Sequence, residues 1–229
     1  MAAMASGKLG ADTLLIEKNG FLGGAATASV LGPISPFHYK DEQVINGIPQ
    51  DFMDRMVKEA GSTGHMKTLD PYGSGDSLGF YDREKYKYVA VEMLKEFGVD
   101  ILYHSMIDSV DCDNFKLTGL TTVSKGGDRL HFSAHVIVDA TGDGDIAVRC
   151  GENYCIGDPV DHKFSPSSAM FEMANVDTEK VFRYIQENQD DFEFLSDIVP
   201  MREFDDRLKQ HYFVGQGFKK LVKKAVEAG

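Results

Sequence analysis

The stretch TLLIEKNGFLGG, residues 13–24, constrains the fold more than any other part of the sequence. An apolar run ends abruptly in the carboxylate of Glu17, and a glycine pair follows a few residues later. Such a run is typical of a buried parallel strand, and the carboxyl ends of strands face the ligand in open α/β sheets. An acid at that position accepts hydrogen bonds from ribose hydroxyls in dinucleotide-binding folds. Glu17 is therefore a candidate ribose ligand.

The residues before Thr13 match one part of the same unit. The small residues of MAAMASGK predict a helix packed closely on a sheet, with Gly10 at its end. In a complete dinucleotide-binding unit, a strand and a glycine-rich turn precede that helix, about 20 residues before the acid. We expect this chain to lack that strand and turn. The alternative is an ordinary N-terminal helix and strand with an exposed Glu-Lys pair.

A second junction between a strand and a turn lies at HVIVDATGDGDIAVRCGE, residues 135–152. The apolar VIV predicts a strand that returns to the sheet, and the residues from Asp145 onward predict a helix. Gly142 and Gly144 let the backbone approach a ligand closely. The first amides of the helix favour a phosphate, and capping of the helix by the carboxylates is the alternative. The acids lack the spacing of a calcium loop, so we predict no metal site.

Between these junctions, the sequence predicts two helices and several strands. Residues 49–61 and 82–98 carry apolar side chains at helical spacing, and Asp82 is the predicted N-cap of the second helix. Short β-rich segments from residue 99 to residue 138 predict one parallel strand and an antiparallel meander. The polar segment 62–80 predicts a loop, and further helices are predicted at residues 178–188 and 217–228.

The composition excludes several classes of partner. A net charge of −12 argues against a nucleic-acid partner, and the basic KKLVKK near the end predicts a solvated helix face. No apolar run approaches the roughly 18 residues of a membrane span, and the N-terminus lacks the order of a signal peptide. We therefore predict a cytoplasmic protein without a membrane partner. Cys112, Cys150 and Cys155 lack the spacing of a metal or redox motif and are predicted to be three thiols.

The order of five segments along the chain resembles the FAD-dependent oxidoreductase family of the two-dinucleotide-binding-domain type. These segments are EKNGFLGG, YDREKY, SMIDSV, the meander and VDATGDGD. The resemblance covers roughly residues 1–175. It implies an α/β fold related to that of glutathione reductase: an FAD-binding Rossmann-like domain with a parallel sheet and an antiparallel β-meander, and then the start of a second, substrate-facing domain. We place a partial FAD/NAD(P)-binding domain at residues 1–157 and a partial substrate or cap domain at residues 158–229.

The resemblance also implies the cofactor, FAD, and a role for each matching position. Glu17 would bind the adenosine ribose with Lys18 beside it, and the main chain of Ile107 would meet the adenine. The backbone would approach the pyrophosphate, the flavin and the rest of the dinucleotide at Gly23, Gly24, Ala25, Ala26, Ala140, Thr141, Gly142 and Asp143. His38 follows the flavin-facing loop and is the best candidate for a substrate-side acid or base; a packing histidine is the alternative.

The implied activity is the transfer of a hydride or an electron pair between a small organic substrate and an acceptor through bound flavin. The glycine-rich turn and the late Gly-Asp segment of the family have no counterpart in this sequence. The alternative is therefore a truncated or split subunit that keeps the fold but needs a partner chain or further segments to bind FAD. A plain NAD-binding module is disfavoured, because the meander followed by VDATGDGD is typical of the FAD-type domain.

Overall fold

The computed structural model describes residues 1–34, 36–39, 42–68, 77–114, 116–164, 167, 169–192, 194–200 and 212–229. The described helices are α1 (Ala2–Lys8), α2 (Ile48–Lys58), α3 (Arg83–Glu96), α4 (Asp145–Arg149), α5 (Thr178–Glu187) and α6 (Lys219–Ala228). The described strands are β1 (Leu14–Ile16), β2 (His38–Tyr39), β3 (Glu42–Gln43), β4 (Met66–Thr68), β5 (Ser77–Leu78), β6 (Asp100–Leu102), β7 (Ser105–Asp113), β8 (Lys116–Ser124), β9 (Arg129–Ser133), β10 (Phe194–Pro200) and β11 (Tyr212–Gln216). None of the described helices is both long enough and apolar enough to cross a lipid bilayer.

The chain forms two compact units, and each is built from two separate stretches of sequence. The first unit contains Met1–Gly23 and Ala90–Ala169, and the second contains Gly24–Val89 and Met170–Gly229. Helix α3 contains one of the boundaries: its residues up to Val89 belong to the second unit, and those from Ala90 onward belong to the first. The domain boundary between residues 157 and 158 stays a prediction.

The first unit combines a parallel strand pair with an antiparallel meander. Strand β1 pairs in parallel with β6, with Leu15 opposite Ile101. Strands β7, β8 and β9 form a three-stranded antiparallel sheet. The parallel strand and the meander predicted from the sequence are therefore confirmed. A parallel pair requires a crossover connection, and in this chain the connection between β1 and β6 ends in α3.

The predicted close packing of the first helix is also confirmed. A Cβ atom placed on Gly7 would lie 2.5 Å from the carbonyl oxygen of Phe97 and 2.6 Å from Cγ2 of Val99. Only a residue without a side chain fits this contact. The helix ends at Lys8, and Gly10 follows it with a φ of 83°.

Helix α3 follows its predicted pattern. The side chain of Asp82 accepts the N–H of Lys85 over 2.8 Å, which is the predicted N-cap. Of the apolar positions predicted at helical spacing, Val89, Ala90, Met93 and Leu94 are buried, whereas Tyr86 and Phe97 are half-buried. Gly98, with a φ of 69°, follows the helix.

The predicted return strand at residues 135–138 is wrong. Strand β9 ends at Ser133, and residues 134–140 have no regular secondary structure. A parallel strand needs a neighbour that takes up its backbone N–H and C=O groups, and no described strand pairs with this segment. The side chains of Val136 and Val138 are consequently 79% and 64% exposed.

The second unit contains α2 and a four-stranded sheet. Helix α2 confirms the prediction for residues 49–61 and buries Phe52, Met53 and Met56. The sheet has the order β11-β10-β4-β5. Strands β4 and β5 flank residues 69–76, which lie outside the described residues, so the prediction of one loop over residues 62–80 is wrong at both ends. Helices α5 and α6 confirm the two predicted helices near the end of the sequence.

Candidate cofactor-binding site

Glu17 lies one residue beyond β1, at the carboxyl end of the parallel pair. Its N–H donates to the carbonyl oxygen of Leu102 over 2.8 Å, and its own carbonyl oxygen accepts the N–H of Ser105 over 3.0 Å. These bonds place Glu17 between the end of β6 and the beginning of β7. Its side-chain Oε1 accepts the N–H of Asn19 over 2.7 Å, which fixes the orientation of the carboxylate. The other carboxylate oxygen accepts no hydrogen bond from the described residues.

The turn after Glu17 is closed by His104. The N–H of His104 donates to the carbonyl oxygen of Asn19 over 3.1 Å. Its imidazole covers Gly20 so closely that a Cβ atom there would lie 2.6 Å from Cε1. His104 has a φ of 54°, a left-handed conformation that is rare outside glycine. Next to it, burial and then the negative charge of Glu17 raise the pKa of Tyr103.

The residues after Glu17 run from the first unit into the second. Lys18 is exposed, and Gly23 closes the first unit with a φ of 116°. A single 3-10 turn over Gly24–Ala26 opens the second unit, and no atom lies within 4 Å of the position where a Cβ of Gly24 would stand. The backbone is therefore open at this glycine, as a close approach to a cofactor requires. The cofactor contacts of these residues stay predictions.

Asp139 organises the second predicted motif. One oxygen, Oδ1, accepts the N–H of Thr141 over 3.0 Å and its hydroxyl over 2.8 Å. The other, Oδ2, accepts the N–H groups of Ile146 and Ala147, each over 3.0 Å. Partial burial opposes ionisation of this carboxyl, but the hydrogen bonds from Thr141, Ala147 and Ile146 outweigh it and lower the pKa of Asp139. Asp139 therefore caps α4 from six residues upstream.

This cap corrects the expectation that the first amides of the helix are free for a phosphate. The N–H groups of Ile146 and Ala147 already donate to a carboxylate, and the N–H of Asp145 donates to the hydroxyl of Thr141 over 2.9 Å. A phosphate placed there would also meet the negative charge of Asp139. The capping alternative is therefore the one that the structure supports.

The loop before α4, residues 142–144, still has an accessible backbone, and it is called the bare loop below. Gly142 and Gly144 have φ values of 95° and 71°, which a residue with a side chain rarely adopts. No atom lies within 4 Å of the Cβ position of either glycine. Within the described residues, the N–H groups of Gly142, Asp143 and Gly144 donate no hydrogen bond. These donors are oriented by the loop and remain available to a polar ligand, whereas Ala140 and Thr141 belong to the turn that Asp139 holds.

Ile107 and α4 are joined by Arg149, which the sequence did not single out. Its Nη1 donates to the carbonyl oxygens of Ile107, over 3.0 Å, and of Asp108, over 3.3 Å. The pairing of β7 with β8 skips Asp108, so this residue forms a bulge in the strand. The carbonyl oxygen of Ile107 has a second lone pair, so its predicted contact with adenine is compatible with Arg149.

The expectation of three thiols is wrong for two of the cysteines. Cys112, on β7, and Cys150, which follows α4, form a disulfide, and Cys155 is free and exposed. The two bonded residues are 38 positions apart in sequence. Spacing alone gave no sign of this pair, because the fold of the meander and α4 brings them together.

His38 is a packed residue of the second unit. It is 8% exposed, and its Nδ1 lies 2.8 Å from the hydroxyl of Ser77, which is itself buried. Its ring meets that of His65 edge to face at 4.9 Å. This environment is typical of the packing alternative, and the acid-base role of His38 stays a prediction. Among the described residues, no cluster of His, Cys, Asp or Glu side chains is arranged to hold a metal ion.

Strand β7 contacts residues from both of the segments in which nucleotide contacts are predicted. Ser105, at its start, binds the backbone of Glu17, and Ile107, two residues later, binds Arg149 of α4. A parallel pair that ends in an acid and is followed by an antiparallel meander is typical of a dinucleotide-binding α/β unit. The chain belongs to the FAD-dependent oxidoreductase family, whose model matches residues 1–227. Its cofactor class is FAD, and the predicted α/β fold with a Rossmann-like FAD-binding domain is confirmed.

Solved structures similar to this chain include three proteins of low sequence identity. Thermovibrio ammonificans THI4 is 14% identical with a TM-score of 0.44, and the match covers 65% of this chain and 55% of that protein. A flavoprotein/dehydrogenase from Cytophaga hutchinsonii is 17% identical with a TM-score of 0.47, over 70% of this chain and 40% of that protein. The myxobacterial FAD-dependent halogenase CndH is 20% identical with a TM-score of 0.40, and the match covers 60% of this chain and 33% of that protein. The chain thus spans about half or less of each protein. No curated protein matches it in sequence.

Proposed function

We propose that this chain binds the adenosine end of FAD in a flavoenzyme that passes a hydride or an electron pair between a small organic substrate and an acceptor. The observation that carries the proposal is the position of β7, which contacts both the backbone of Glu17 and the end of α4 through Ser105 and Ile107. Family membership supports FAD as the cofactor. The cytoplasmic location and the small-molecule substrate belong to this proposal as well.

The described residues fit the nucleotide end of FAD. The carboxylate of Glu17 offers an acceptor to ribose hydroxyls, with Lys18 exposed beside it. The main chain of Ile107 offers a shape-and-edge contact to adenine. The free N–H groups of Gly142 and Asp143, with Ala140 and Thr141 before them, form the backbone that closes over the dinucleotide. Gly23, Gly24, Ala25 and Ala26 provide the further backbone contacts.

When bound, FAD supplies the redox chemistry, and the protein binds, orients and shields it. The residues of this chain thus act first as binding groups. His38 is the residue that we propose for proton transfer on the substrate side. Since it is buried and bonded to Ser77, this role requires a bound state in which its ring becomes accessible.

A titration of the purified chain with FAD, followed by quenching of flavin fluorescence, tests the proposal. We expect saturable binding, and we expect Glu17→Gln to weaken it by about tenfold, because hydrogen bonds to a charged acceptor contribute about 1.5–3 kcal/mol. Glu152→Gln is the matched control, since Glu152 is exposed and makes no side-chain contact in the described structure. Equal FAD affinity in both variants would overturn the role of Glu17. NAD, added as a competitor of FAD, distinguishes an FAD-binding chain from a plain NAD-binding module.

The alternative is a subunit that keeps the fold but needs a partner chain or further segments to bind FAD. The observation that favours it is the segment 134–138, whose valines are exposed and whose backbone joins no described strand. A chain that stays colourless and shows no flavin quenching while retaining its folded circular dichroism spectrum supports this alternative. Restored binding on addition of a complementing chain would establish it.

A further inference from the structure

The disulfide between Cys112 and Cys150 connects the two segments that carry the predicted adenine and dinucleotide contacts. The Cα atoms of the pair are 5.5 Å apart, a separation usual for a disulfide. Both residues are half-buried, so solvent reaches them. Cys112 lies five residues after Ile107 on the same strand, and Cys150 directly follows Arg149. The disulfide and the Arg149–Ile107 hydrogen bond therefore join the end of α4 to β7 at two positions, five residues apart along the strand.

Among the described residues, few interactions besides the disulfide attach the segment 139–150 to the meander. Ile146 is buried, and Arg149 donates to the backbone of β7. The hydrogen bonds of Asp139, in contrast, are internal to the segment. On the upstream side, residues 134–138 belong to no strand ladder. With so little other attachment, a covalent bond at the end of α4 has a large share in holding the segment in place.

We propose that Cys112–Cys150 is a reversible thiol–disulfide site that controls how firmly residues 139–150 are held on β7, and thereby the affinity of the bare loop at 142–144 for FAD. The effect on FAD rests on the proposed function; the effect on the segment does not. In the disulfide form a covalent bond holds the end of α4 on β7. In the dithiol form the segment depends on Ile146 and Arg149, and it opens more often.

The chemistry of the switch is thiol–disulfide exchange. A small dithiol reductant attacks one sulfur of the pair, the bond between Sγ of Cys112 and Sγ of Cys150 breaks, and two thiols form while the reductant closes into its own disulfide. Oxidised glutathione, a low-molecular-weight disulfide, reverses the step and is reduced to two thiols. In a reducing compartment, such as the proposed cytoplasm, disulfides of this kind are transient and act in redox sensing.

Hydrogen exchange of the cofactor-free chain, measured by mass spectrometry, tests the switch directly. We expect amides of residues 145–150 to exchange about tenfold faster after reduction by a dithiol, because local opening becomes easier. Amides of β8 serve as an internal measure of folding and should change by less than about twofold. Equal exchange of residues 145–150 in the two forms would overturn the proposal. A second outcome would also overturn it. If an alkylating reagent labels all three cysteines in a sample treated with oxidised glutathione and never reduced, Cys112 and Cys150 form no disulfide.

Variants separate this pair from general effects of reduction. The double variant Cys112→Ser with Cys150→Ser should exchange like the reduced chain even under oxidising conditions. Cys155→Ser, which removes the exposed free cysteine, should behave like the unmodified chain. If the double variant loses protection in β8, it has lost its fold, and the chemically reduced chain then decides the question.

FAD titration of the oxidised and reduced forms tests the second half of the proposal. We expect about fivefold weaker binding to the reduced form, since part of the binding free energy is then used to close the segment. The same FAD affinity in both forms would overturn this half. Absence of FAD binding in both forms would instead contradict the proposed function, while the exchange experiment still decides whether the disulfide holds the segment.

Discussion

The guanidinium of Arg149 donates to the carbonyl oxygen of Ile107 over 3.0 Å and so joins α4 to β7. The two residues are 42 positions apart in sequence. One belongs to the strand that is expected to meet adenine, and the other follows the loop that is expected to close over the dinucleotide. This bond holds the last residue of α4 against the strand.

Replacement of Arg149 by alanine should loosen α4. The variant loses two hydrogen bonds from a charged donor, and we expect the free energy of unfolding to fall by about 1–2 kcal/mol. Arg129→Ala is the matched control, because Arg129 forms an exposed ion pair with Asp108 and such pairs contribute less than about 1 kcal/mol. Urea unfolding followed by circular dichroism measures both. Equal losses in the two variants would contradict the assigned role of Arg149.

Local patterns predicted the helices and the meander well. In α2 and α3, the buried side chains recur at helical spacing, and Asp82 caps the second of these helices as expected. Glu17 lies at the carboxyl end of a parallel strand, because an apolar run that ends in an acid carries this information within a few residues. These features depend on neighbours in sequence, so the sequence alone suffices for them.

Features that depend on distant neighbours were missed. The Cys112–Cys150 disulfide and the Arg149 contact exist only because the meander and α4 fold against each other. The apolar VIV looked like a strand, but strand formation needs a partner ladder that no described strand provides. Strands β10 and β11 lie in an acidic, weakly patterned region where tertiary pairing overrides local propensity.

Loss of the Asp139 carboxylate should unwind α4 at its start. We expect Asp139→Ala to lower the free energy of unfolding by about 1–2 kcal/mol, the usual effect of removing a helix cap. Asp139→Asn retains one acceptor oxygen and should lower the free energy of unfolding by less than Asp139→Ala does. Urea unfolding of the two variants, with hydrogen exchange of the amides of Ile146 and Ala147, distinguishes the cap from a simple loss of charge. Unchanged protection of both amides in Asp139→Ala would contradict the cap.

The same carboxylate predicts a dependence on acid pH. Its pKa is lowered from 3.8 in the folded chain, so its ionised form stabilises the fold above that value, and this contribution is lost as the pH falls through the lowered pKa. The unmodified chain should therefore lose more stability than Asp139→Asn between about pH 5 and pH 2. Parallel slopes of unfolding free energy against pH would contradict the lowered pKa.

Gly7→Ala tests the close approach of α1 to the rest of the first unit. The added Cβ would lie 2.5 Å from the carbonyl oxygen of Phe97, a backbone atom that cannot turn aside. We expect a loss of about 1–3 kcal/mol from overpacking, more than the roughly 1 kcal/mol that alanine gains over glycine in a helix. At Gly126 the nearest atom is 3.4 Å away, so Gly126→Ala should change stability by less than about 0.5 kcal/mol. Thermal unfolding of both variants measures the difference.

Tyr184 predicts a loss of stability at alkaline pH. Its hydroxyl donates to the carboxylate of Asp191 over 2.7 Å, and this bond, followed by burial and the charges of Asp191 and Asp190, raises the pKa of Tyr184 from 10.0 to about 12. A raised pKa means that the neutral phenol stabilises the fold below about pH 10 and that this contribution is lost as the pH rises toward about 12. Tyr184→Phe removes this dependence, whereas Tyr154→Phe, at an exposed position, should retain it. Unfolding midpoints of all three chains between about pH 9 and pH 12 provide the measurement, and an equally steep decline in Tyr184→Phe would rule out the bond to Asp191 as its source.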